Sequence, residues 1–80
     1  MKDVERIAQI VDAAKPLLAG RPSEVQGGAL AELVSIWLAG FHPKMRDEML
    51  ALWLKMALAM VPLCEEEIFF NRDRPEGWDA

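Results

Sequence analysis

Between Met49 and Cys64 the chain runs for sixteen residues with a single charge, Lys55. Apolar side chains recur through this stretch at helical spacing. At about 100° per residue, Leu50, Trp53, Leu54, Ala57, Met60 and Val61 fall on one side of the helix, and Met45, Met49, Leu52, Met56 and Leu63 on the adjoining side. Only Lys44, Glu48, Ala51, Lys55 and Ala59 are left as a strip for water. A helix that is apolar over most of its circumference is buried on more than one face. The fold must therefore surround this segment.

The chain is short for that task. Its 80 residues make one domain, and a chain of this size buries only about 60–65% of the surface that it exposes when unfolded. Yet 52% of its residues are hydrophobic, slightly above the usual globular share. One copy has too little polar material to cover so much apolar surface, so a homodimer or higher homo-oligomer is expected.

Net charge is −4, unevenly placed. Up to Cys64, seven acids (Asp3, Glu5, Asp12, Glu24, Glu32, Asp47, Glu48) balance seven bases (Lys2, Arg6, Lys15, Arg21, Lys44, Arg46, Lys55). From Glu65 onward, six acids (Glu65, Glu66, Glu67, Asp73, Glu76, Asp79) face only Arg72 and Arg74, so the last sixteen residues carry the whole imbalance. No basic stripe is available to neutralise phosphates, which argues against nucleic-acid binding. One cysteine excludes an internal disulfide and fits a reducing cytoplasm. The opening MKDVERIAQIVD mixes charges into its apolar positions and does not read as a signal peptide.

Three main helices are predicted. Asp3 can cap the first, over about 3–18, in which Val4, Ile7, Ala8, Val11, Ala14 and Leu18 recur on one face. Pro16 must end or bend it, and Gly20 and Pro22 close the segment. Ser23, with Gln26 three residues on in capping-box position, opens the second over about 23–40. That helix has a broad apolar face and, at strict fourth positions, a row of small residues: Gly27, Ala31, Ser35 and Ala39. A small row lets another helix approach closely along its fourth-position ridges. The short link Gly40-Phe41-His42-Pro43 leads into the third helix over about 43–61, antiparallel to the second. Pro62 followed by Glu65, Glu66 and Glu67 suggests a separate short fourth helix over 62–70. From Asn71 onward periodicity ends, leaving an acidic tail with Trp78 as its apolar contact.

Few residues offer chemistry. His42 and Cys64 are the possible nucleophile pair, but twenty-two residues separate them, about 33 Å along one helix. Within one chain they could meet only if Pro62 folded the segment sharply back; antiparallel copies could also bring them together, which gives an inter-subunit ligand-binding or catalytic site as a third reading. The simpler reading makes His42 a helix cap and Cys64 a small packing residue. Glu32, His42, Asp47, Glu48 and the Glu65–Glu67 run lack the spacing of a metal site. No metal, cofactor or catalysis is expected. Met45, Met49, Met56 and Met60 line one side of the third helix beside Trp53; flexible thioethers suit a self-association seam or a groove for a partner. The runner-up to a self-associating interaction protein is a small membrane-associated helical hairpin. Against it, the apolar run is shorter than the roughly 20 residues needed to span hydrocarbon, and Lys55 at its centre costs about 2.5–3.5 kcal/mol.

The stretch EVQGGALAELVSIWLAGFHP resembles small bacterial or phage open reading frames, a likeness that brings no fold or activity with it. The sequence is thus expected to give an all-α bundle of three main helices plus a short C-terminal helix, with residues 1–70 as the domain and 71–80 as the tail. It is expected to act as a non-catalytic homodimeric interaction or scaffold protein of the cytoplasm, possessing no cofactor, with an unidentified protein as a further partner. The interface residues are Gly27, Ala31, Ser35, Ala39, Met45, Met49, Trp53, Met56 and Met60. Phe69, Phe70 and Trp78 dock the tail.

Overall fold

The computed structural model of the chain describes residues 2–70 and 72–78. Their regular elements are all helical: α1 (Lys2–Leu18), α2 (Ser23–Ala39), a 3-10 turn (Pro43–Met45) and α3 (Arg46–Ile68). They divide between two compact units, Met1–Trp37 and Leu38–Ala80.

In the first unit, α1 passes through Pro16 and stops two residues later. The stop is held by hydrogen bonds that take up its last carbonyls. The Ala19 N–H donates to the Lys15 carbonyl (2.9 Å) and the Arg21 N–H to that of Leu18 (3.2 Å). Gly20 adopts φ +76°, a left-handed conformation that costs other residues a steric penalty. Arg21 Nε donates to the Leu17 carbonyl (2.9 Å), and Gln26 Nε2 to that of Leu18 (2.8 Å). Gln26 therefore serves the end of α1, and its amide does not close the capping box expected with Ser23. The entry to α2 is instead held by the Pro22 carbonyl, which accepts from Val25 and Gln26 N–H (both 3.0 Å). Inside α2, a Cβ added at Gly27 or Gly28 meets nothing within 4 Å.

The second unit opens on the last residues of α2. Arg46 reaches back to its end, donating through a guanidinium N–H to the Ala39 carbonyl (3.2 Å) and through Nε to that of Phe41 (3.1 Å). His42 caps the 3-10 turn: its Nδ1 accepts from the Lys44 N–H (3.1 Å), and its carbonyl from the Met45 N–H (2.8 Å). The predicted third helix thus starts as a 3-10 turn at Pro43 and becomes α-helical at Arg46. Asp47 and Glu48 sit in its first turn, where carboxylates favour the positive end of the helix dipole.

The separate fourth helix over 62–70 is not formed. α3 continues through Pro62 to Ile68 as one helix of 23 residues. A proline in a helix interior removes one backbone donor and crowds the preceding turn, yet its φ is compatible with the helix. The residues after it keep their own donors, and the last turn is tied down from beyond the helix, as described below. Pro62→Ala is expected to strengthen α3 by about 3 kcal/mol, because it restores a donor for the Leu58 carbonyl and removes the ring. Far-ultraviolet circular dichroism through a thermal melt checks this; an unchanged or lower melting temperature would show that the ring of Pro62 does not weaken α3.

Among the described residues no side chain is buried, apolar or polar. The best-shielded apolar positions, such as Val34, Leu38, Met49, Leu50, Trp53 and Phe69, are half-buried.

Candidate functional site

The feature with most shape lies at the end of α3, where the chain turns back on itself. Phe69 leaves the helix at φ −104°, ψ 26°, and its N–H donates to the Glu65 carbonyl (2.9 Å). The Arg72 N–H donates to the Phe69 carbonyl (2.8 Å), the Trp78 N–H to that of Pro75 (3.3 Å), and Gly77 takes φ +91°. These turns bring Arg74 and Trp78 back to the helix.

Arg74 is the clamp. Its Nε donates to Glu65 Oε1 (3.0 Å) and its terminal nitrogen to Glu66 Oε1 (3.2 Å). Its guanidinium carbon lies 5.7 Å from the Phe69 ring centre, within cation–π range. Trp78 meets the same ring edge-on, with centroids 5.3 Å apart at 84°. The hydrogen bond to Glu65 raises the Arg74 pKa above its usual value, with both glutamate charges adding to the effect. The guanidinium also supplies the cation that the last turn of α3 lacks in its own sequence.

Folding the tail back creates an open groove of about 430 Å³, lined by Ala57, Met60, Val61, Cys64, Glu65, Ile68, Phe69 and Trp78. Ala57, Met60, Val61, Cys64 and Ile68 recur at three- and four-residue steps and so share one face of α3. That face is almost wholly apolar. Cys64 within it is a free, exposed thiol.

The other residues singled out by sequence are spread along two helices. Ala31, Ser35 and Ala39 are exposed, and Ser35 Oγ donates within its own helix to the Ala31 carbonyl (2.8 Å). Of the methionine seam, Met49 and Trp53 on α3 are half-buried, while Met45 at the end of the 3-10 turn and Met56 and Met60 on α3 are 46%, 58% and 55% exposed. Met60 alone of that set lines the groove. Phe70 is exposed. His42 and Cys64 stand near opposite ends of α3, which runs unbroken between them.

Sequence reasoning passed over Arg74 and Val61 as site residues. Arg74 carried a usable signal: it is one of only two bases among six acids, within reach of a glutamate run.

Helical geometry, a clamped tail and an apolar groove define the class: an all-α chain with exposed apolar faces. Among the described residues no helix is long and apolar enough to cross a membrane, and no group of acids, histidine and cysteine could hold a metal ion. Comparisons with protein-family models, with curated proteins and with solved structures return no match.

Proposed function

We propose that this chain is a non-catalytic interaction or scaffold protein of the cytoplasm that works as a homo-oligomer, a dimer by default, and completes its helical bundle only between copies. One observation carries the reading: among the described residues a single chain buries none of its apolar side chains, although 52% of its residues are hydrophobic. Each large apolar side chain moved from water to a packed interior contributes about 1.5–3 kcal/mol. A few such transfers match the whole stability of a typical domain. The exposed Met56, Met60 and Leu52 of α3 and Leu30, Leu33 and Ile36 of α2 supply them. Two copies related by a two-fold axis would bury the same patches reciprocally.

Small residues at Gly27, Ala31, Ser35 and Ala39 support a close helix approach in that assembly. An interior glycine costs a helix about 1 kcal/mol relative to alanine, and nothing in the chain itself crowds a Cβ at Gly27 or Gly28. Gly28→Ala, off the row, is expected to raise α2 stability by about that amount with association unchanged. Gly27→Ala should raise helicity similarly but weaken association. Circular dichroism and sedimentation on the two variants separate the cases, and identical behaviour would remove the row from the interface.

The direct test is sedimentation velocity combined with thermal melts across a hundredfold range of protein concentration. A homo-oligomer gains mass and melting temperature together as concentration rises, because association stabilises only the folded state. A chain that stays monomeric with a constant, cooperative melt overturns the reading.

A further inference from the structure

The geometry points to the groove between α3 and its returning tail as a docking site for a short, cationic amphipathic helix of another protein. Three observations carry it. First, the groove offers the apolar half of helix-in-groove recognition. Ala57, Met60, Val61, Cys64 and Ile68 line it from α3, and Phe69 and Trp78 from beyond the helix; the α3 residues extend over about 16 Å, or roughly three helical turns. A methionine and aromatics in such a lining adapt to varied apolar side chains.

Second, its surroundings are anionic. From Glu65 to Trp78 the chain carries five acids and two bases. Arg74 offsets charge on Glu65 and Glu66, and beyond that clamp Glu67, Asp73 and Glu76 outnumber Arg72. Charge of one sign beside a low-dielectric wall attracts the opposite sign. An anionic lipid surface is disfavoured for the same reason.

Third, the chain cannot supply this occupant itself. In α1, Lys2, Arg6 and Lys15 are cancelled by Asp3, Glu5 and Asp12. α2 has only the acids Glu24 and Glu32, and α3 is itself net acidic. No helix of a second copy is net positive. The methionine seam proposed for self-association lies about a quarter turn around α3 from the groove, sharing only Met60 with it. The docking site therefore goes beyond the homo-oligomer and stands whether or not copies associate.

Cys64 is the only cysteine and lies in the groove, so its reaction rate with a thiol reagent reports occupancy. Three synthetic peptides serve as probes: a Leu/Lys peptide with leucines at three- and four-residue spacing, its Leu/Glu counterpart, and a Ser/Lys peptide without leucine. At ten times its Kd, the Leu/Lys peptide is expected to slow Cys64 modification about tenfold. The Leu/Glu and Ser/Lys peptides should leave the rate unchanged. Protection should weaken as salt rises and in the Asp73→Asn/Glu76→Gln variant, which alters only exposed positions outside the Arg74 clamp. Equal protection by the Leu/Glu peptide, or none by any peptide, overturns the proposal. Protection that follows the protein's own concentration and excludes the Leu/Lys peptide also overturns it, and assigns the groove to a second copy. Sedimentation of the same samples reads self-association separately, so the two proposals fail by different measurements.

Discussion

Met56→Asp is expected to leave the protein monomeric at concentrations where the parent chain is associated. In the single chain Met56 is 58% exposed, and a carboxylate there has ample water. The direct cost should be near that of an ordinary surface change, within about 0.5 kcal/mol, plus a few tenths for the poorer helix propensity of aspartate. In an assembly that covers the methionine seam, the same carboxylate is buried without a partner, which costs several kcal/mol per copy. At about 3 kcal/mol in each of two copies, association weakens on the order of ten-thousandfold. Ala59→Asp is the control, since Ala59 lies on the strip read as facing water and the new side chain is identical. Sedimentation velocity should find the Met56 variant monomeric and the Ala59 variant associated like the parent. If both variants associate normally, Met56 faces solvent in the assembly and the seam is misplaced.

Ala31→Leu carries the second large expected effect, through shape alone. Ala31 is exposed in the single chain, so a leucine there meets open space, and its helix propensity is nearly that of alanine. Where another helix lies against the small row, the added atoms must displace it. Overpacking of a closely fitted contact costs about 1–3 kcal/mol per site, doubled in a two-fold dimer. Association should weaken about thirtyfold or more, while the helicity of dilute monomer stays as it was. Ser35→Leu should act in the same direction. Unchanged association constants for both variants, measured by sedimentation equilibrium, would show that α2 approaches its partner through another face.

Both experiments rest on the contrast between what one copy exposes and what its composition demands. The composition half of that contrast is legible in the sequence, and the exposure half is structural. The third helix as far as about Val61 follows from apolar residues at three- and four-residue spacing, and the stop after Leu18 follows from Gly20 and Pro22. Local rules suffice there because neighbouring residues decide the outcome. Pro62 shows where they fall short. Its ring and the acids after it are equally compatible with starting a helix and with interrupting one, and sequence alone weighted the first. The lost donor at Pro62 is a local cost, whereas the last turns of α3 gain the clamp from Arg74, nine residues beyond Glu65.

Composition and periodicity by themselves determined that the chain is helical, that its third helix is apolar nearly all round, and that its excess of acid sits at the C-terminal end. These properties depend on residue type and on spacings of one or two turns. Only the tertiary structure decided that α3 runs on to Ile68, that Gln26 is spent on the Leu18 carbonyl, and that Arg74 and Trp78 return to make a groove against Phe69. The hydrogen bonds of Gln26 and Arg74 and the ring contact of Trp78 with Phe69 join residues eight or nine positions apart across a reversal of the chain, where helical period has no say and the direction of the turn settles which side chains meet.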